Sequence, residues 1–168
     1  MSIPLVFLPF HLSLTALAGI ILGPYFGFLA AFIVNLILAF FGHGGITIVG
    51  LNTLIIGSEA ILGWFLYNRF NKYMSKKISA GISALFALII SGLLMISIIG
   101  ITNIDPDIAF HFLDDYAFSG ILEHQGKSIF ILALILMPLV SLGAIIEGII
   151  TYFVVGYINQ VKPDILDK

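Results

Sequence analysis

From His11 to Glu59 the chain reads HLSLTALAGIILGPYFGFLAAFIVNLILAFFGHGGITIVGLNTLIIGSE, and almost every residue in it is apolar or small. The exceptions are His11, Asn35, His43, Asn52 and Glu59. Such a stretch cannot be the surface of a domain in water. In hydrocarbon, an ionised side chain at bilayer depth costs on the order of 2–4 kcal/mol, so it is kept where it has a partner or a task. The function is therefore to be sought among these few residues.

The rest of the chain agrees. Of 168 residues, 60% are hydrophobic and 10% charged, where a soluble domain carries roughly 25% charge. The length suits one membrane domain, 1–168. A net charge of −2 excludes the basic footprint of a nucleic-acid binder. There is no cysteine, which excludes disulfides and thiolate metal sites. Any metal would be held by histidine, backbone, asparagine or carboxylate. Residues 1–10 lack a basic leader and a small-residue cleavage site, so no cleavable signal peptide is expected.

Taken in order, the chain predicts an all-α integral membrane protein, a polytopic bundle of about five transmembrane helices. The first span is 3–22. Pro4 and Pro9 cannot donate into a helix interior, so regular helix is expected from about His11. Gly23-Pro24 closes the span, because the residue before proline is driven out of the α region. The glycines at 19, 23 and 27 suit close helix packing in lipid. A second span, 25–41, ends at Gly42-His43-Gly44-Gly45. A third covers 46–70, and its first part is expected to be irregular around Gly50. Arg69, Lys72, Lys76 and Lys77 then supply four of the seven basic residues, which assigns this turn to the cytoplasmic side. The fourth span is 79–101. The loop 102–126 is acidic, without lysine or arginine, and is expected outside. The last apolar stretch, 129–158, is long for one span, and Pro138 is expected to kink or break it. This topology puts the N-terminus outside and the C-terminus in the cytoplasm of a multi-pass cell-membrane protein. His11, the glycine break and the acidic loop then share the external side.

The polar residues each have an ordinary reading and a functional one. His11 is either an interfacial histidine bonded to backbone or water, or a metal ligand. His43, between glycines, is a solvated loop residue or a second ligand. Asn35 suits an interhelical hydrogen bond. Asn52 suits a turn or cap, or points into a cavity. Glu59 and Glu147 pair with polar groups, or carry a proton, or touch a transported ion. No histidine pair stands at metal-binding helical spacing. No nucleophile–base set and no phosphate-cradling glycine loop is present, so no enzyme is expected. A membrane enzyme would need Glu59, Glu147 and a histidine to converge on one cavity.

These residues resemble a known family. His11-Leu12 followed by Gly23-Pro24 is similar to the G-H-L…L-G-P stretch of the CbiM/NikM family, the substrate-binding membrane components of cobalt and nickel energy-coupling-factor (ECF) transporters. Asn35 stands near a position where relatives often carry glutamine. G-H-G-G-I-T at 42–47 resembles A-D-G-G-L-T, and Gly50-Leu51-Asn52 resembles G-A-N. I-E-G-I-I-T at 146–151 and K-P-D-I-L at 162–166 resemble the family's last helix and tail.

The resemblance implies an uptake component for Co2+ or Ni2+ as substrate, with no cofactor. Its partners would be an ECF transmembrane coupling protein, ATPase subunits and the lipid bilayer, with no nucleic acid. It also implies a link to cobalamin biosynthesis or nickel supply. In the family the metal is held by an N-terminal Met-His-Ile segment together with the histidine of the G-H-L stretch. His11 alone carries over, with His43 and Asn52 as further candidates. Ser2 stands where the family has histidine, and two preceding helices have no counterpart. The expectation is a truncated or shortened relative that binds Co2+ or Ni2+ weakly by itself. The competing reading is a non-transporting membrane scaffold or assembly protein that keeps the fold without the site.

Overall fold

The computed structural model describes residues 4–5, 8–9, 13–41, 49–102 and 129–166. Two short strands, β1 (Pro4–Leu5) and β2 (Leu8–Pro9), pair antiparallel with Pro4 opposite Pro9. Among the described residues five helices follow: α1 (Thr15–Leu22), α2 (Pro24–Phe40), α3 (Val49–Phe70), α4 (Lys76–Thr102) and α5 (Ile129–Val161). A 3-10 turn at Pro163–Ile165 closes the described chain.

The first expected span, 3–22, is not one helix. Its described part is the strand pair and then the eight residues of α1, about 12 Å of helix at 1.5 Å per residue. That is well short of a hydrocarbon core about 30 Å thick. The prolines at 4 and 9 lie in the strands, where their missing N–H groups cost no helix bonds. At its other end α1 stops as expected. Gly23 has φ 90 and donates its N–H to the Gly19 carbonyl at 2.9 Å, and Pro24 opens α2. Proline suits a first helical position, where its missing donor is not needed.

Val49–Phe70, Lys76–Ile101 and Leu136–Val161 are long and apolar enough to cross a membrane, and Pro24–Phe40 is a shorter apolar helix. The third expected span is regular helix from Val49 on, through Gly50, and not irregular there. Its residues 46–48 lie outside the described set, as do His11, the 42–45 break and the acidic loop except for its first residue. Nor does Pro138 break the last helix: α5 runs unbroken over 33 residues with the proline inside. In lipid a proline is tolerated within a spanning helix because neighbouring groups take up the freed backbone bonds. One turn later the Ser141 hydroxyl bonds the Met137 carbonyl at 2.7 Å.

The packing runs opposite to that of a soluble protein. Large apolar side chains such as Phe26, Phe40, Phe65 and Phe153 point outward, while Ala60, Ala80, Ala84, Ala87, Ser79, Ser83 and Thr151 fill the interior. Lipid gives no hydrophobic drive between helices, so small residues that bring backbones close carry the interfaces. At Gly19 an added Cβ would overlap the Ala60 carbonyl. At Gly81 it would stand 2.9 Å from the Gly148 carbonyl oxygen. α4 against α5 is the most extensive contact, and α3 packs on α4, α2 and α1. Leu17 and Ile20 of α1 join Tyr67, Ala80, Val155 and Leu166 in one cluster, at the bundle end that carries the α3–α4 turn. At that end the Arg69 guanidinium lies 5.1 Å from the centre of the Tyr73 ring.

Candidate functional site: a polar junction at mid-depth

Glu59 lies at the midpoint of α3, and Glu147 close to the midpoint of the Leu136–Val161 span. Both are almost fully buried, at 8% and 2% exposure. Ser13, just ahead of α1, joins them. Its N–H donates to Glu147 Oε1 at 2.6 Å, and the next amide, Leu14 N–H, donates to the same oxygen at 3.0 Å. The Ser13 hydroxyl is 2.9 Å from Glu59 Oε2 and 3.1 Å from Glu147 Oε1. It has one hydrogen, so it serves one carboxylate at a time. From α4, the Ser91 hydroxyl lies 3.1 Å from Glu59 Oε1 and 3.1 Å from the Ile55 carbonyl.

The start of α1 explains the geometry. A helix leaves its first N–H groups without partners, and α1 has no capping side chain of its own. Leu14 takes the left-handed conformation, φ 49 and ψ 20. Successive N–H groups in such a turn converge on an anion, and a helix N-terminus favours negative charge. Glu147 supplies the acceptor oxygen from another helix. A carboxyl group that would be costly in lipid is thus held by backbone N–H groups and a hydroxyl. The two glutamates are buried, yet Ser13 remains exposed, so the junction lies at the border of the packed interior. The second oxygen of Glu147 has no hydrogen-bond partner among the described residues, and neither have the buried hydroxyls of Thr53 and Thr151.

The residues singled out in the sequence fare differently. Glu59 and Glu147, far apart in the chain, come together through Ser13. Asn52 is half-buried in the first turn of α3. It is seven residues before Glu59, which puts it on the same helix face two turns away. Asn35 is buried in α2. His11 and His43 lie outside the described residues. Among the described residues no group of three or more His, Cys, Asp or Glu side chains could hold a metal ion. Ser13 and Ser91, the residues that connect the carboxylates, went unnoticed in the sequence. A serine two places from His11 and directly ahead of a helix was the available signal.

Comparison with known proteins gives a consistent picture. The family described as CbiM, "Cobalt uptake substrate-specific transmembrane region", matches residues 1–165. A protein of Methanosphaerula palustris named as cobalt transport protein CbiM 1 is 32% identical over 93% of this chain and 62% of its own length. From Archaeoglobus fulgidus, a fused nickel transport protein NikMN is 28% identical over 91% of this chain and 45% of its own. A cobalt transport protein CbiM of the same organism is 27% identical over 94% and 67%. The chain therefore spans about half to two thirds of the length of these relatives. No solved structure matches it.

Proposed function

Because this chain belongs to the CbiM family, a family of substrate-specific transmembrane regions and not of enzymes, we propose that it is the metal-selecting membrane component of a cobalt or nickel uptake transporter. What carries the reading is the match over residues 1–165. The names of the relatives include both cobalt and nickel transport, and the cargo is accordingly Co2+ or Ni2+. The chain's work is to bind and select the ion. Moving it requires an ECF-type transmembrane coupling protein and ATPase subunits, and the metal delivered serves cobalamin biosynthesis or nickel supply.

His11 is the ligand we assign, with His43 and Asn52 as further contributors. An imidazole suits either ion. His11 and Ser13 are two positions apart in the sequence, so covalent geometry holds their Cα atoms within about 7 Å. The cargo would then be received beside the polar junction, near mid-depth, where transporters commonly hold their substrates. The cluster of Arg69, Lys72, Lys76 and Lys77 at the α3–α4 end supports a cytoplasmic position for that turn and for the C-terminus, with the N-terminus outside.

The test is calorimetric titration of Co2+ and Ni2+ into the purified chain in detergent, beside His11→Ala and a form extended to the length of the relatives. Saturable binding that is lost in His11→Ala supports the reading. A tight one-to-one isotherm that survives His11→Ala removes His11 from the site. Absence of binding in every form favours the scaffold reading instead. Ligand nitrogens must be deprotonated to bind, so affinity is expected to fall as pH drops below about 6.5.

A further inference from the structure

Three donors stand within hydrogen-bond distance of a single oxygen, Glu147 Oε1: the Ser13 amide at 2.6 Å, the Leu14 amide at 3.0 Å and, shared with Glu59, the Ser13 hydroxyl at 3.1 Å. All three partners lie in the two residues that open α1. None is on α4, the helix against which α5 packs most extensively. Glu147 therefore reaches past its main neighbour to hold the beginning of a short helix. On the other side, Glu59 holds the Ser13 hydroxyl at 2.9 Å and is itself held by Ser91 at 3.1 Å. The start of α1 is tied to α5, α3 and α4 at once.

This anchoring is more than packing requires. The body of α1 is already fixed by Ala16, Leu17, Gly19 and Ile20, all buried. At Gly19 and Gly63 the backbones of α1 and α3 approach too closely for a side chain. Those contacts set the axis of the helix. They leave free the direction in which the chain enters it, because Ser13 is exposed and Leu14 only half-buried. The entry direction is set by the left-handed turn at Leu14, φ 49, a conformation that costs a leucine roughly 1–2 kcal/mol and persists only when something holds it. The two amide bonds to Glu147 are what hold it.

We propose that Glu147 is a positioning residue. Through the Ser13 and Leu14 amides it locks the left-handed entry into α1. Glu59 and Ser91 secure the Ser13 hydroxyl in the same lock. The structural part of this inference stands alone. Its consequence for metal binding rests on the metal-uptake reading, in which His11, two positions before Ser13 in the sequence, is a ligand. Groups that orient a ligand without touching the metal commonly change affinity about 10–100-fold when removed.

Two readouts on the same detergent-purified samples test it. The first is amide hydrogen exchange at residues 13 and 14, with the α4 amides around Ser83 as internal reference. The second is Co2+ titration. In Glu147→Ala, exchange at Ser13 and Leu14 rises by about tenfold or more while the α4 amides keep their rates, and Co2+ affinity falls about 10–100-fold. Glu147→Gln keeps a carbonyl oxygen that accepts the same two N–H bonds, and it stays within about threefold of the parent in both readouts. Should Glu147→Ala fail to fold, Glu147→Asp withdraws the acceptor by one methylene and is expected to fall between the other two.

Unchanged exchange at residues 13 and 14 in Glu147→Ala overturns the lock. So does a rise shared equally by α4, which marks a general loss of stability. Equal loss of affinity in Glu147→Gln and Glu147→Ala overturns the positioning role in favour of a role for the charge. If the parent chain binds no Co2+ at all, the metal-uptake reading fails, and the exchange arm still decides the lock.

Discussion

The Ser13 amide and Glu147 Oε1 stand 2.6 Å apart across 134 positions of sequence. That contact brings the first short helix and the last long one to the same level, halfway along the spans. It also gives each of the two glutamates a reason to be there. Neither is neutralised within its own helix. Each is answered by a backbone or hydroxyl dipole from a distant segment, which is the condition for keeping a carboxyl group at such depth.

Glu59 has two hydroxyl partners, Ser13 and Ser91. Glu59→Ala removes one acceptor from each, leaving Ser13 with Glu147 Oε1 and Ser91 with the Ile55 carbonyl, and is expected to lower stability by about 1–3 kcal/mol, at roughly 0.5–1.5 for each hydrogen bond lost. Glu59→Gln retains one carbonyl oxygen and is expected to cost less than about 1 kcal/mol. Thermal unfolding of both variants in one detergent checks the ranking, and equal stability of Glu59→Ala and the parent would contradict it.

Leu14 is the only non-glycine residue with positive φ among the described residues. A β-branched side chain is an outlier there, whereas glycine adopts the conformation freely. Leu14→Val is expected to be less stable than Leu14→Gly by about 1–2 kcal/mol, although valine keeps more of the side chain. The reverse order in unfolding experiments would mean that the turn at residue 14 is not left-handed.

The approach of α1 to α3 leaves no room for a methyl group at Gly19, where it would meet the Ala60 carbonyl. The obstacle is backbone and cannot rotate away. Gly19→Ala is therefore expected to destabilise by about 1–3 kcal/mol, even though alanine is the better helix former. A variant as stable as the parent would show that α1 does not pack as described.

The absence of cysteine makes single-cysteine reporters clean. Met74, 45% exposed, sits in the α3–α4 turn. In sealed cells, Met74→Cys is expected to resist a membrane-impermeant maleimide and to react once the inner face is opened. Labelling in intact cells would invert the proposed orientation.

Much of the architecture was legible because lipid imposes simple rules. A helix must satisfy its own backbone to cross hydrocarbon, so long apolar runs announced α3, α4 and α5. The ends at Gly23-Pro24 and near Phe70 followed from local chemistry. Where the outcome differed, a local rule had been given too much weight. Of the kink or break expected at Pro138, the break does not occur, because α5 continues through it. The apolar run before Gly23 had the composition of a span, yet only eight of its described residues are helix. Hydropathy reports what can sit in lipid, and does not report whether a segment crosses it.

The sequence by itself determined that this is a membrane-embedded helical chain, that glycines near Gly23-Pro24 suit close helix packing, and that Glu59 and Glu147 needed an explanation. Those properties depend on residue type and short spacing, which one chain displays. Only the tertiary structure decided what the explanation was. Ser13 became the meeting point because α1 starts at the depth of both glutamates and its first amides needed an acceptor. That depth follows from how closely Gly19 and Gly63 let the backbones of α1 and α3 approach. Contacts between residues 134 positions apart depend on how whole helices pack, and no local pattern encodes them.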